Sequence, residues 1–502
     1  MTQTTSLTLD GLSVVIHSDV TIGQIDGGYI VTGDAIRIDH SIEATLFYRN
    51  GWNSWSPTGW HSLSAEPLRI YDNPERLLTA DDAATDDPSR HMGSTVGALD
   101  VGEGRVLLLG ALSLGAPRVA AEKDALVGEA DDPGVQWFVA VGTEQQVFAR
   151  YAELVAERFG RASGTAGTVW SSWYSYFEDI DEAKIGTAIE DLEGYPFDVV
   201  QIDDGWERIV GDWVVGNGFP SGLTALASRI TRAGFRAALW VAPMICLPQS
   251  EIARTHPDWL VTDAAGEAMV AGYNWGSHYY ALDTTRADVQ QYLTELFEGL
   301  VEKGFTYFKL DFMYAGALEG RRSTNAHRDT VYREAIELIR RAVGPDTYLL
   351  GSGVPMLASV GVFDGARVGP DVAPYWDNTE RKRDRSGPGA YNSLANSVSR
   401  VWMKRWYDVD PDVVFFRARR SLLDERGRGL LVDLAQIAGF KSTSDPVSWL
   451  DEAEQGRLRA FLADAPMVRQ LGRYRFQLDE RVVDFTDYVE NTRDDLESML
   501  VK

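Results

Sequence analysis

The sequence GFTYFKLDF at residues 304–312 indicates the architecture of this chain. Aromatic and apolar side chains fill it, which is typical of a buried β-strand, and Gly304 ends the amphipathic segment before it. Lys309 and Asp311 lie two residues apart, so a strand conformation places both side chains on one face. Such charges in an apolar strand are unfavourable unless they pair or serve a function. Taken alone, the segment leaves open a structural ion pair and a catalytic pair.

Strands and amphipathic helices alternate on both sides of this segment. Apolar strands are predicted to begin near residues 168, 197, 235, 305, 348 and 365, and several helices end at a glycine directly before the next strand. Near-continuous apolar strands that alternate with helices indicate parallel βα units. With two weaker strands predicted at 406–416 and 439–443, the pattern favours a (β/α)8 barrel over an open sheet.

The regions that flank the barrel follow other patterns. Short alternating runs between Gly and Asp turns precede a helical stripe at residues 143–159, which predicts a β-sandwich with a linker helix. Near the other end of the chain we predict a helix at 452–463 and two short strands within 473–484. The predicted fold is therefore an α/β and β multidomain protein, with an N-terminal β-sandwich (1–160), a (β/α)8 TIM barrel (161–445) and a short C-terminal segment (446–502).

One loop of the predicted sandwich is unusually aromatic. The segment WNSWSPTGW at residues 52–60 carries three Trp in nine residues, mixed with Gly, Pro and Ser. Such a loop can seal an interface between domains, or it can lean over the pocket of a neighbouring domain and stack on a substrate. The sequence leaves both roles open.

Composition and charge exclude several classes of partner. The chain has 502 residues and a net charge of −26, which argues against nucleic acid and anionic membrane surfaces. We find no apolar run long enough for a membrane span and no signal peptide at the N-terminus. Cys246 is the only cysteine, which suits a reducing compartment. We therefore expect a cytoplasmic protein, and no feature of the sequence indicates a cofactor.

Acidic residues follow the predicted barrel strands at the edge where such barrels carry their active sites. Asp203 and Asp204 end the second strand, Asp311 the fourth and Asp371 the sixth. Glycoside hydrolysis needs two carboxyl groups at the anomeric carbon, one ionised and one protonated. Asp311 should stay ionised beside Lys309 and is the nucleophile candidate, because a nearby cation favours the charged form. Asp371 has no adjacent lysine, so it can hold a proton and act as the acid and then as the base.

The ordered motifs of the chain resemble the α-galactosidases of glycoside hydrolase family 36. The matching segments are WNSW (52–55), WSSWY (170–174), QIDD (201–204), LWVAP (239–243), YFKLDF (307–312), ARVGPD (366–371) and DPD (410–412). The resemblance implies a retaining exo-α-galactosidase that cleaves oligosaccharides such as melibiose and raffinose through a covalent glycosyl ester on Asp311, with Asp371 as acid/base. It also implies that Asp203 and Asp204 bind O4 and O6 of galactose. By the same resemblance, the remaining residues of the pocket are Trp52, Trp173, Tyr174, Trp240, Lys309 and Arg367.

Two departures from the family keep alternatives open. Ser352 stands where family members often carry Cys, near C2 of the sugar, so an α-N-acetylgalactosaminide or another α-glycoside is an alternative substrate. The region beyond residue 445 is short for the family's C-terminal β-domain. A raffinose-synthase-like galactosyl transferase would use the same two carboxylates. A non-catalytic sugar-binding barrel would not need these two carboxylates. The seven His residues are scattered, which argues against a metal-dependent hydrolase, and we predict no metal site.

Overall fold

A computed structural model describes residues 3–18, 22–68, 79, 87, 89–377 and 385–489 of the chain. It contains the predicted N-terminal sheets and the predicted barrel, followed by a small C-terminal sheet. None of the helices in these ranges is long and apolar enough to cross a membrane.

The N-terminal part consists of two antiparallel sheets, which within the described residues have six and seven strands. Its strands are β1 (Gln3–Leu9), β2 (Leu12–Ser18), β3 (Ile22–Ile25), β4 (Gly28–Thr32), β5 (Ala35–His40), β6 (Leu46–Arg49), β7 (Gly59–Ser62), β8 (His91–Ser94), β9 (Val96–Gly102), β10 (Arg105–Ala111), β11 (Arg118–Ala121), β12 (Ala125–Glu129) and β13 (Gln136–Thr143). The strand orders are β1-β2-β5-β12-β11-β8 and β3-β4-β13-β10-β9-β6-β7. Buried side chains of both sheets join one apolar core, as the alternating sequence pattern predicts.

The linker helix runs from Glu144 to Phe159. Its buried stripe includes Val147, Phe148 and Tyr151, and the Tyr151 hydroxyl donates to the Ala111 carbonyl at the end of β10. On the barrel side, the Trp406 indole donates to the carbonyl of Ala152. The helix therefore connects the sheets to the barrel by packing as well as by sequence.

The barrel contains eight parallel strands within the described residues. They are β14 (Thr168–Ser171), β15 (Val199–Ile202), β16 (Arg236–Val241), β20 (Tyr307–Leu310), β21 (Tyr348–Gly351), β22 (Gly365–Arg367), β23 (Asp408–Asp410) and β24 (Lys441–Thr443). Each strand pairs in parallel with its neighbour, and β24 pairs with β14. A parallel bridge between Val414 and Thr443 joins the segment after β23 to β24, so the barrel is nearly closed.

An antiparallel sheet is inserted between the third and fourth barrel strands. It consists of β17 (Ile245–Cys246), β18 (Val270–Asn274) and β19 (Ser277–Ala281), in the order β17-β19-β18. The sequence patterns above did not predict it. The helices of the barrel region are Trp173–Tyr176, Glu182–Asp191, Gly222–Arg232, Glu251–Thr255, Ala287–Glu302, Arg328–Val343, Ala390–Ser399, Glu425–Ala438 and Glu452–Ala463.

The helix Glu452–Ala463 follows the predicted domain boundary at residue 445 and packs against the barrel. A capping box of Asp451 and Glu454 begins this helix. Its Phe461 joins the main apolar core, and Gln455 accepts a hydrogen bond from the Tyr195 hydroxyl beyond the helix Glu182–Asp191. The helix after the last barrel strand therefore packs back onto the first βα unit.

A small sheet follows the barrel and ends the described chain. It consists of β25 (Val468–Gln470), β26 (Arg475–Leu478) and β27 (Arg481–Asp484), and a short helix, Thr486–Val489, comes after it. Two of these strands were predicted, whereas the short, polar β25 carries no apolar pattern of its own.

Candidate active site

Seven of the predicted site residues surround one cavity of about 360 Å³ at the carboxyl ends of the barrel strands. These residues are Trp173, Asp203, Asp204, Trp240, Lys309, Asp311 and Asp371. Strands β14, β15, β16, β20 and β22 end next to one another in the sheet, so residues far apart in sequence meet at this edge.

Lys309 is buried between two carboxylates in one wall of the cavity. Its Nζ lies 2.9 Å from Oδ2 of Asp203 and 3.8 Å from Oδ2 of Asp311. Burial lowers the pKa of Lys309, but the two carboxylates outweigh burial, and the pKa is raised overall. The Gln201 amide donates a second hydrogen bond to Asp203, at 2.7 Å. The first partner of the lysine is therefore Asp203 and not Asp311, the neighbour on its own strand.

Each carboxyl oxygen of Asp311 accepts a directed hydrogen bond. The Trp240 indole donates to Oδ2 at 3.0 Å, and the backbone N–H of Phe312 donates to Oδ1 at 2.9 Å. Phe312 has φ 54°, in the left-handed region that bulky residues rarely adopt. This conformation turns the chain directly after Asp311 and stores backbone strain beside the carboxylate, as functional sites often do.

Asp371 is held more loosely than Asp311. Its Oδ1 lies 3.2 Å from Nη1 of Arg367, and 40 % of its side chain is open, whereas 11 % of the Asp311 side chain is. Loss of hydration at the carboxyl group raises the pKa of Asp371, while Arg367 opposes that shift and the charge of Asp311 reinforces it. Asp371 therefore lines the cavity with a pKa above its usual value, the direction that a proton donor needs.

Arg367 and Tyr174 lie behind the cavity wall, where the resemblance had implied that they line the pocket. Arg367 is buried, with Nε 3.1 Å from Asp410 and Nη1 2.8 Å from Asp412. The Tyr174 hydroxyl donates to Oδ2 of Asp412. Both side chains are therefore engaged with carboxylates at the end of the seventh strand, and Arg367 also contacts the cavity residue Asp371.

The aromatic loop of the sandwich reaches the cavity through Trp55, and Trp52 does not line it. The Asn53 side chain accepts hydrogen bonds from the backbone N–H groups of Trp55 and Ser56, which turns the chain sharply between the two Trp residues. Trp52 is 5 % exposed and packs beneath the Arg328 guanidinium. The structure therefore places Trp55 at the cavity, where the resemblance had implied Trp52.

Arg400 of the barrel fixes this loop in place. It is fully buried, and its guanidinium donates to the backbone carbonyls of Gly51, Asn53 and Ser54 in the loop and of Val368 in the barrel. Burial lowers the pKa of Arg400 to about 10. The loop therefore seals the domain interface, and it also contributes Trp55 to the cavity lining.

Ser352 lies outside the cavity lining. It is 1 % exposed, and its hydroxyl has no hydrogen-bond partner among the described residues. Its backbone pairs with Leu310 and Met313, directly behind the end of β20. The position supports the strand that carries Asp311, and the structure shows no contact between its hydroxyl and the cavity.

The inserted hairpin supplies cavity residues that the sequence analysis missed. Tyr273, Asn274, Trp275 and Gly276 line the cavity, and the Trp275 indole donates to Oδ2 of Asp204 at 2.8 Å. The sequence YNWGS at residues 273–277 was the available signal, since a turn with Asn and Gly between short apolar runs is typical of a β-hairpin.

Asp204 has a further carboxyl neighbour that the motif did not reveal. Burial raises the pKa of Asp204, and the nearby Glu207 carboxyl raises it further. Asp203, by contrast, is paired with an ammonium group. The two adjacent acids are therefore held in different charge environments. In the described part of the chain, no group of three or more His, Cys, Asp or Glu side chains is arranged to hold a metal ion.

Comparisons with known proteins agree with this geometry. A family model described as Melibiase matches residues 143–340. The α-galactosidase AgaA of Geobacillus stearothermophilus is 27 % identical over 190 residues, which cover 36 % of this chain and 24 % of that protein. The α-galactosidase of Escherichia coli is 28 % identical over 153 residues, 28 % of this chain and 20 % of that one. The aligned segments thus span at most about a quarter of these two relatives.

Solved structures match over a much larger part of the chain. TtGalA, an α-galactosidase from Thermus thermophilus in complex with p-nitrophenyl α-D-galactopyranoside, is 41 % identical, with a TM-score of 0.92 over 97 % of this chain and 100 % of that chain. The crystal structure of AgaA is 15 % identical with a TM-score of 0.60, over 92 % of this chain and 73 % of that chain, and it supports the fold alone.

Proposed function

This chain belongs to the α-galactosidases of glycoside hydrolase family 36, and we therefore propose that it hydrolyses terminal α-D-galactosyl residues at the non-reducing ends of small oligosaccharides. The observation that carries the proposal is the unlike pair of acids at one cavity. Asp311 is held by two directed donors beside an ammonium group, whereas Asp371 is more open and has a raised pKa. Glycoside hydrolysis requires this division between an ionised and a protonated carboxyl group.

The proposed mechanism is a double displacement with retention at the anomeric carbon. A carboxylate oxygen of Asp311 attacks C1 while Asp371 gives its proton to the departing glycosidic oxygen, which leaves a galactosyl ester on Asp311. Water then attacks C1, Asp371 takes its proton, and the ester bond to Asp311 breaks. Retaining enzymes of this kind separate the two carboxyl groups by about 5–5.5 Å, and we expect that separation between Asp311 and Asp371.

The remaining cavity residues are proposed to bind the sugar. Asp203 and Asp204 offer carboxyl groups to the O4 and O6 hydroxyls, and the Trp173, Trp240 and Trp275 rings offer flat apolar faces. The Thermus neighbour has been solved in complex with stachyose. We propose oligosaccharides of the raffinose and melibiose type as substrates of this chain, and we expect them to be cleaved in the cytoplasm.

A panel of p-nitrophenyl α-glycosides tests the function. We expect the galactoside to be hydrolysed with a higher kcat/KM than the N-acetylgalactosaminide, glucoside or arabinopyranoside, and NMR should show α-galactose as the first product. Preference for the N-acetylgalactosaminide would reassign the substrate, and β-galactose as the first product would refute the retaining mechanism.

A further inference from the structure

We propose that the tip of the β18–β19 hairpin binds the leaving group of the substrate, with Tyr273 as the surface on which a second sugar ring packs. The inference rests on the proposed α-galactosidase function, because it assigns a ligand to the outer part of the same cavity. The inference concerns the leaving group of the substrate, whose identity is not determined by Asp311 and Asp371.

The exposure of the lining residues separates an inner from an outer part of the cavity. Among the described residues that line it, the exposed ones all belong to the hairpin tip, namely Tyr273, Asn274 and Gly276. The acids and Lys309 belong to the inner part, where the reacting sugar must lie. We therefore expect a ring attached to the anomeric oxygen of that sugar to lie beside the hairpin tip, the exposed part of the cavity lining.

The hairpin tip is fixed at the cavity. Trp275 and Gly276 have φ 51° and φ 67°, as a tight two-residue turn requires. The Trp275 indole donates to Asp204, and its ring lies 5.2 Å from the Phe312 ring and 6.4 Å from the Trp240 ring. The turn is thereby tied to the floor of the cavity. A ligand that contacts it meets a preformed surface, which lowers the entropic cost of binding.

Tyr273 differs from the other aromatic residues of the cavity because its side chain has no partner among the described residues. Its side chain is 54 % exposed, and within the described chain it makes no aromatic, cation–π or hydrogen-bond contact. An aromatic ring offers a broad apolar face and, in Tyr, a hydroxyl at the edge. The adjacent Asn274 amide adds donors and an acceptor for sugar hydroxyls. This combination suits the apolar face and polar rim of a pyranose or furanose ring.

Phe177 provides a matched control on the same molecule. It is a large aromatic residue with 50 % exposure, and its ring lies 5.3 Å from that of Trp173. It does not line the cavity. Removing Phe177 therefore takes away a comparable aromatic surface without removing the proposed binding surface.

The test compares two substrates that share the galactosyl group and differ in the leaving group. We would measure kcat/KM for raffinose and for α-galactosyl fluoride, whose leaving group has no ring, with the wild type, Tyr273→Ala, Tyr273→Phe and Phe177→Ala. Tyr273→Ala should lower kcat/KM for raffinose by about tenfold, the loss of one aromatic contact, and leave that for the fluoride nearly unchanged. Tyr273→Phe should retain most of the raffinose activity.

The outcomes separate this inference from the proposed function. An equal effect of Tyr273→Ala on both substrates, no effect on either, or the same selective loss in Phe177→Ala would overturn the assignment of Tyr273. If the wild type hydrolyses neither raffinose nor the fluoride, the α-galactosidase proposal itself fails, and the inference fails with it.

Discussion

Two buried charge networks lie beside the cavity, one around Lys309 and one around Arg367. They differ in the number of carboxylates that surround the cation. Lys309 stands among two carboxylates, those of Asp203 and Asp311. Arg367 stands among three, those of Asp371, Asp410 and Asp412. With one cation in each, the second network carries the larger excess of negative charge. Burial, reinforced by the charge of Asp311, raises the pKa of Asp371 although Arg367 lies beside it, so the surroundings of that acid count for more than its adjacency to a cation.

The networks also differ in how firmly they hold the acid that faces the cavity. Two hydrogen bonds orient Asp311, and a strained backbone follows it. Asp371 has Arg367 on one oxygen and 40 % of its side chain open. A nucleophile must meet C1 in one geometry, whereas an acid/base must reach the leaving oxygen and later a water. The rigid and the open side chain suit these two tasks.

The largest effect on turnover is expected when Asp311, the reacting group of the Lys309 network, is removed. Asp311→Ala should lower kcat on p-nitrophenyl α-galactoside on the order of 10⁴- to 10⁶-fold, because no covalent ester can form. Added azide should restore part of the turnover by attacking the vacated face and forming a galactosyl azide. Thermal unfolding of the variant serves as the folding control. A variant that is folded and retains near-normal activity would show that Asp311 is not the nucleophile.

Breaking the second network at its reacting group should give a smaller loss that depends on the leaving group. Asp371→Ala should lower kcat/KM for raffinose by about 10²- to 10⁴-fold, the usual contribution of general acid–base catalysis. The loss should be much smaller for α-galactosyl fluoride, whose leaving group needs little protonation. Losses of equal size on the two substrates would contradict the role of Asp371 as the acid.

Removing the cation of the first network should affect folding as well as turnover. Lys309→Met leaves Asp203 and Asp311 buried without their ammonium partner, which should cost about 3–5 kcal/mol of unfolding free energy at pH 7. The folded state raises the pKa of Lys309, so the stabilisation by the lysine is fully present at neutral pH and is lost only as the pH rises through that raised value. Urea unfolding at pH 7 measures the difference between variant and wild type. Unchanged stability would show that the pairing with Asp203 contributes nothing.

The smallest expected effect is a shift in pH dependence when the second network loses one carboxylate. In Asp412→Asn, the charge of Arg367 is less compensated and acts more strongly on Asp371, which lowers the pKa of Asp371. The acid form is then lost at lower pH, so the basic limb of the kcat/KM profile moves to lower pH. Asn suits the backbone at this position, where φ is 80°.

A remote buried pair provides the control for that shift. Asp364 is buried and paired with Arg340, outside the cavity lining. Asp364→Asn removes a comparable buried charge and should leave the basic limb in place. If Asp412→Asn leaves the limb unmoved, or if Asp364→Asn moves it as far, Asp412 does not tune Asp371.

The features that could be predicted from the sequence are those recorded in local patterns. Apolar strands, helices that end at glycine, and acids directly after strands indicated the barrel and placed Asp203, Asp204, Asp311 and Asp371 at one edge. Each of these signals needs only a few consecutive residues. The barrel topology then brings the strand ends together without further information from the sequence.

The features that were missed depend on partners distant in the chain. Lys309 takes Asp203, 106 residues away, as its first partner, although Asp311 lies two residues away. Trp55 enters the cavity in place of Trp52 because Arg400, more than 300 residues later, holds the loop. Such choices are made by packing between elements that are far apart in the chain, which single motifs do not record. Tyr174 and Arg367, which the resemblance assigned to the pocket, are likewise held by distant partners, the carboxylates of Asp410 and Asp412.

The central claim is that Asp311 forms a covalent bond to the sugar. The most direct measurement is peptide mass spectrometry of the enzyme after inactivation with 5-fluoro-α-galactosyl fluoride, which slows the hydrolysis of a glycosyl ester. We predict one fluorogalactosyl group per chain, on the peptide that contains Asp311. The same group attached to a peptide without Asp311 would contradict the account.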